Sequence, residues 1–167
     1  LDDIPFPAYD LLNLKKYSKV RNMSSLGRME YIPIVSSRGC PYQCIYCHNI
    51  FGKKFRYRSA ENVFQEIQGW KKLFGIKNYQ FLDDIFNFNS RRMDAILDKI
   101  ITSQLDIRFC FPNGIRGDLL TEEQIVKLKK AGANHITVAV ESANDRIQKK
   151  IKKNLHLDKI NEVIDIM

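Results

Sequence analysis

Short apolar runs alternate along the chain with apolar stripes at helical spacing, and this alternation predicts the elements. Residues 31–37 (Tyr-Ile-Pro-Ile-Val-Ser-Ser) read as a short strand. Over residues 60–74, Val63, Phe64, Ile67, Trp70 and Phe74 fall on one helical face, with Ser59 placed as the cap and Gly75 as the stop. The order then repeats. A strand at residues 78–83 precedes a helix near residues 91–103 that carries Met93, Ile96, Leu97, Ile100 and Ile101. A strand at residues 107–111 precedes a helix at residues 122–131 with the clearest local signature in the chain. There Thr121 and Gln124 form a capping box, Leu120 and Ile125 a hydrophobic staple, and Gly132 a stop. A fourth strand at residues 135–141 leads through a basic loop or short helix to a helical pattern from Leu157 onward, with Ile160, Val163 and Ile164.

Strands alternating with helices imply an α/β fold with right-handed crossovers and a parallel sheet, either open or curled into part of a barrel. In both architectures the functional loops lie at the carboxyl ends of the strands. Four groups fall at such ends: the cysteine loop after the first strand, Asp83 with Asp84, Asn113 with Arg116, and Glu141 with Ser142. Each alone is an ordinary turn or helix-start residue. Four in succession predict one shared site.

Composition narrows the class. At 167 residues and 44% hydrophobic content, the chain can bury one ordinary core and predicts one domain. Aromatic residues make up 11%, and no low-complexity run or internal repeat appears, which excludes a disordered chain. The apolar runs are too short to span a bilayer. The opening Leu1-Asp2-Asp3-Ile4-Pro5-Phe6-Pro7 lacks the order of a secretory signal. Three of the four cysteines fall within eight residues, which suggests a metal site in a reducing compartment, and the expected location is cytoplasmic. The net charge of +8 resides partly in Lys71, Lys72, Lys129, Lys130, Lys149, Lys150, Lys152 and Lys153, on or beside predicted helices. Such runs read first as solvated faces; a nucleic-acid surface is the other reading, though no nucleic-acid motif accompanies them.

Cys40-Pro-Tyr-Gln-Cys44-Ile-Tyr-Cys47 has the spacing C-x3-C-x2-C. One compact loop can thereby offer three thiolates to three irons of a cubane cluster, leaving the fourth iron open to a substrate or cofactor. Two other metals fit some of the same residues. Cys44-Ile-Tyr-Cys47-His48 satisfies the c-type haem pattern but leaves Cys40 unexplained. Structural zinc on Cys40, Cys44, Cys47 and His48 fits ligand chemistry, with four ligands unusually close together. Cys110 falls inside a strand pattern and reads as a small apolar filler outside the site.

With Tyr46 just before the third cysteine, this loop resembles that of the radical S-adenosylmethionine (SAM) superfamily. The resemblance continues through Arg56-Tyr-Arg58-Ser, Phe81-Leu-Asp83-Asp84-Ile-Phe86, Arg116-Gly-Asp118-Leu and Val140-Glu141-Ser142 to Lys153. It is greatest to the branch whose members often carry a cobalamin-binding domain ahead of the radical domain. The resemblance implies a partial parallel (β/α) barrel, with about four of six β/α units present. Residues 1–30 would be a linker from a preceding domain, and residues 31–167 the N-terminal part of a radical SAM core. It also implies a 4Fe-4S cluster on Cys40, Cys44 and Cys47, with SAM chelating the open iron and cleaved reductively to a 5'-deoxyadenosyl radical. By matching position, Asp84 would meet the methionine amino group, Glu141 and Ser142 the amino group or ribose, Lys153 or Arg116 the carboxylate, and Tyr46 the adenine. Cobalamin would come from a domain outside this chain, and the partners would be a small-molecule or cofactor-like substrate and an electron-donor protein. Read as residues alone, Lys153 belongs to a solvated lysine run, Asp118 to a helix start and His48 to local loop hydrogen bonding. The rival function is a non-catalytic zinc- or nucleic-acid-binding module that uses the cysteine loop as a staple.

Overall fold

A computed structural model of the protein describes residues 1–19 and 29–167. After a short helix α1 (Leu14–Tyr17), four parallel strands form the main sheet: β1 (Ile32–Ile34), β4 (Asn78–Phe81), β5 (Arg108–Ile115) and β6 (Ala133–Val138), side by side in that order. Between β1 and β4, the two-residue strands β2 (Ser37–Arg38) and β3 (Arg56–Tyr57) pair antiparallel. Helices α2 (Ala60–Phe74), α3 (Ser90–Thr102) and α4 (Glu122–Ala131) connect the strands, and α5 (Asp145–Lys150) and α6 (Leu157–Ile166) follow β6. The strands lie side by side in sequence order, and α2 packs on α3 as α3 packs on α4. This is the expected α/β architecture, a curled parallel sheet forming part of a barrel.

Local chemistry accounts for the helix limits. Ser59 Oγ accepts from Asn62 N at 3.1 Å, and Gly75 closes α2 at φ 69° with its N–H on Lys71 O. The Thr121–Gln124 capping box is present, and Leu120 and Ile125 both join the core. Gly132 ends α4 at φ 104°, where a Cβ would lie 2.2 Å from Ile107 O, so no other residue fits. The sheet face toward the helices is aromatic: Phe81, Phe109 and Phe111, joined by Phe86 from beyond β4, are buried with neighbouring ring centroids 4.7–5.7 Å apart. Ile96 and Leu97 of α3 and Leu128 of α4 complete this core.

Strand limits differ from expectation where side chains near the strand ends are drawn into the site. The first strand stops at Ile34 because the Ser36 and Ser37 side chains turn inward to Asp83. The third runs on through Pro112 and Gly114 to Ile115, with register shifts against β6 that absorb the irregular stretch. The fourth ends at Val138, so Glu141 stands in the loop beyond it.

The described part of the segment expected to be a linker is docked on the domain. Tyr9 donates to Pro33 O at 2.8 Å and meets Trp70 edge-on at 5.5 Å. Asp2 Oδ1 accepts from Ser59 N at 2.9 Å, and Phe6 lies beneath the Arg58 guanidinium. The Tyr9 hydroxyl thus meets edge strand β1, whose Pro33 has no N–H to offer a further strand. Residues 20–28 of the expected linker lie outside the described residues. No helix among the described residues is long and apolar enough to cross a membrane.

Candidate functional site

The cysteine loop is gathered at its base. Pairing of β2 with β3 joins its two ends, and Cys40 N–H donates to Gly52 O at 3.3 Å. Gly39 adopts φ 85°, and a Cβ there would lie 2.4 Å from Lys54 O. Two consecutive carboxylates just beyond β4 hold the start of the loop. Asp83 is buried and accepts from Ser36 Oγ at 3.0 Å and Ser37 Oγ at 2.6 Å. Asp84 faces the site and accepts from Gly39 N at 3.0 Å through Oδ2. Burial pushes the Asp83 carboxyl up, with the Ser37 hydrogen bond pulling the other way. Burial also pulls the neighbouring Arg92 guanidinium down to about 10, although the Asp83 charge opposes it.

Two adjoining cavities, of about 330 and 200 Å³, share Cys40, Cys44, Cys47, Tyr42, Tyr46 and Asp84 in their walls. The first opens toward His48, Phe51 and Lys53; the second reaches Arg116, Glu141 and Lys153. Burial raises the thiols of Cys40 and Cys47, with Lys53 lowering the first and Lys153 the second. Burial and then the Cys44 and Glu141 charges raise the Tyr46 phenol, so it stays protonated. His48 is turned to Asp84, with Nε2 3.7 Å from Oδ1. Among the described residues no three His, Cys, Asp or Glu side chains form a group that could hold a single metal ion. A donor set of three thiols around a shared cavity suits a polynuclear cluster, which spreads its ligands over several irons. Cys110 is buried in β5 and lines neither cavity.

Lys153 is 7% exposed and is therefore no part of a solvated lysine face. Its Nζ lies 3.0 Å from Glu141 Oε1 and 5.8 Å from the Tyr46 ring centroid. Glu141 takes φ 67°, a left-handed conformation rare for a residue with a side chain. Asn113 spans the floor, donating to Leu82 O and Asp83 O at 3.1 and 3.3 Å. Arg116 pairs with Asp118 through two hydrogen bonds of 3.0 and 2.8 Å. Asp118 thus holds Arg116 and does not merely start a helix. Ser142 lines neither cavity; its Oγ accepts from Asn144 N and its carbonyl from Gln148. The fold thus brings together Tyr46, Asp84, Arg116, Glu141 and Lys153 around the three cysteines, and places Ser142 outside.

Several residues that shape the site were invisible in sequence. Gln148 is buried and holds the Glu141 turn through Val140 O and Ser142 O, at 2.8 and 2.6 Å, yet in sequence it is one polar residue in a basic helix. Asn87 brackets the Arg116 backbone, donating to its carbonyl at 2.7 Å and accepting from its N–H at 3.2 Å. Tyr42 lies beneath the Arg116 guanidinium, with 3.8 Å from Cζ to the ring centroid. Its position between the first two cysteines was the one available signal.

The chain matches the Radical SAM superfamily over residues 34–167. It is 32% identical to an uncharacterized methyltransferase of Pyrococcus horikoshii over 93% of this chain and 32% of that protein. It is 27% identical to cytidylyl-2-hydroxyethylphosphonate methyltransferase of Streptomyces wedmorensis over 98% of this chain and 31% of that protein. Anaerobic magnesium-protoporphyrin IX monomethyl ester cyclase of Synechocystis is 25% identical over 99% of this chain and 32% of its own length. The chain therefore spans about a third of the length of these relatives. Among solved structures, the radical S-adenosylmethionine methyltransferase TsrM from Kitasatospora setae, with cobalamin and a 4Fe-4S cluster bound, superposes with TM-score 0.73. The identity there is 17%, over 83% of this chain and 27% of that one.

Proposed function

The chain belongs to the Radical SAM superfamily, and from that premise we propose that it is the part of an enzyme that binds a 4Fe-4S cluster and SAM and cleaves SAM reductively. The observation that carries this reading is the meeting of three cysteines and the Lys153–Glu141 pair in the walls of one cavity. Cys40, Cys44 and Cys47 are the cluster ligands. The chemistry such a cluster supplies when bound is one-electron reduction of SAM, which yields methionine and a 5'-deoxyadenosyl radical.

The residues do the binding and orienting. The methionine end of SAM carries an ammonium and a carboxylate, and Glu141 with Lys153 offers one partner for each. In the free protein these two side chains neutralise each other, so an arriving zwitterion exchanges partners and leaves no charge bare. Asp84 is the second acceptor for the ammonium, and the exposed Tyr46 ring borders the space for adenine. Arg116 and Ser142 have their polar atoms engaged within the fold and are left out of direct SAM contact.

Residues 31–60 contain no Asp or Glu but include Arg38, Lys53, Lys54 and Arg56 around the cysteine loop. An acidic electron-donor protein suits that surface. The relatives' names support methyl transfer or ring formation on a small molecule, with cobalamin supplied from outside this chain. Four cysteines, three of them gathered in one loop, favour a reducing compartment, and we place the protein in the cytoplasm.

Anaerobic reconstitution of the full-length protein tests the proposal. Four irons per chain, an electron paramagnetic resonance (EPR) signal on reduction that changes with SAM, and release of 5'-deoxyadenosine are expected. Stoichiometric zinc that survives reconstitution, with no cluster formed, would overturn it in favour of a structural metal module.

A further inference from the structure

Arg116 is expended on the fold. Four of the five guanidinium N–H donors are used: Nε and Nη2 on the two Asp118 oxygens, Nη1 on Lys153 O at 3.1 Å and Nη2 again on Asn154 O at 3.2 Å. A ligand carboxylate reaching Arg116 would have to displace Asp118, whose side chain is only 2% exposed. The flat face of the guanidinium lies on Tyr42, inside the cysteine loop. One planar cation thus meets the loop on its face and the Lys153 turn on its edge.

The turn it holds needs holding. Lys152 and Asn154, on either side of Lys153, both take left-handed backbone conformations, at φ 56° and 49°. Such conformations persist in residues with side chains where surrounding contacts over-determine them. Two of those contacts are the Lys153 and Asn154 carbonyls on Arg116. A third tie runs parallel to the clamp, since Ile45 N–H, in the cysteine loop, donates to Ile151 O at 3.1 Å. Arg116 is itself fixed in place by Asn87 through both of its backbone polar groups.

We propose that Arg116 is a positioning residue that clamps the cysteine loop, through Tyr42, to the turn at residues 152–154. The clamp sets the span between the three thiols and the Lys153–Glu141 pair, the two ends of the surface that receives SAM. It rests on the functional reading above and deepens it. Lysine cannot replace arginine here, having no planar face and no fork for two carbonyls and a carboxylate.

The test uses the full-length, anaerobically reconstituted protein and four variants: Arg116→Lys, Tyr42→Leu, Tyr42→Phe and the Arg116→Lys/Tyr42→Leu double. Iron content should stay at the wild-type level in all of them. In Arg116→Lys and Tyr42→Leu, the SAM concentration that half-completes the EPR change should rise about tenfold or more, a cost expected when one end of a site is displaced. Tyr42→Phe keeps the ring and should match wild type, and the double variant should be no worse than the poorer single one. A normal Arg116→Lys with a silent Tyr42→Leu, or additive losses in the double variant, would overturn the clamp. Hydrogen exchange separates this proposal from the functional one. In Arg116→Lys the Ile45 and Lys153 amides should lose protection together while α4 does not, whether or not SAM binds. Unchanged protection there refutes the clamp, whereas a wild type that forms no cluster refutes only the functional reading.

Discussion

Lys153 Nζ stands 3.0 Å from Glu141 Oε1, with the lysine side chain 8% exposed and the glutamate 43%. That asymmetry makes the two single substitutions unequal. Glu141→Gln leaves a buried ammonium with a weaker partner, and we expect a loss of about 1–3 kcal/mol of stability. Lys153→Met leaves the glutamate facing solvent and should cost about 1 kcal/mol or less. Both should weaken SAM binding about tenfold or more. Thermal unfolding beside SAM titration checks this, and equal destabilisation by the two variants would contradict it.

Metal identity can be settled at His48 and Cys110. His48 faces Asp84 and Cys110 is buried within β5. His48→Ala and Cys110→Ala should therefore retain the wild-type iron content, with Cys110→Ala costing about 1 kcal/mol of packing. Replacing Cys40, Cys44 or Cys47 with alanine should abolish loading. Loss of metal in His48→Ala would revive the four-ligand zinc site.

Gly39 governs loop closure. A Cβ there meets the Lys54 and Gly52 carbonyls at 2.4 and 2.9 Å, and the backbone is left-handed. Gly39→Ala should cost about 1–3 kcal/mol from the backbone conformation alone. Because the clash is with main chain, the loop must also open. Far-ultraviolet circular dichroism should stay near wild type while iron content falls to less than half.

Tyr9 offers a pH readout of the docked N-terminal segment. Burial, then the Glu66 charge, raises its phenol from 10.0 to about 12. A group whose pKa is higher folded than unfolded contributes stability that is fully present below pH 10 and is lost as pH rises toward 12. Trp70, the single tryptophan, touches Tyr9 edge-on and reports the change by fluorescence. Tyr9→Phe should remove that transition; its persistence in the variant would assign it elsewhere.

The sequence disclosed elements whose signals are local. Helices α2 and α4 begin and end at the expected residues because Ser59, Gly75, Thr121 and Gly132 act on their own backbone neighbourhoods. The cysteine spacing was legible for the same reason, and strand-end logic brought Asp84, Arg116 and Glu141 to it. Assignments that depend on distant partners were not legible. Lys153 in a lysine run looks solvated until Glu141 and Tyr46 close over it. Gln148 and Asn87 are ordinary polar letters until the backbone groups they satisfy come within reach. Ser37 reads as a continuation of the first strand until Asp83 captures its hydroxyl and it starts β2 instead.

The two carboxylates after β4 carry a consequence for genetic change. Asp83 is buried against Ser36 and Ser37, whereas the next residue, Asp84, faces the cavity. Deleting one residue between Tyr79 and Asp83 would bring Asp84 to Ser36 and Ser37 and leave the Gly39 amide unheld, while inserting one would carry Asp83 to Gly39 and leave the two serines without a carboxylate. This stretch of the gene should reject single-codon insertions and deletions.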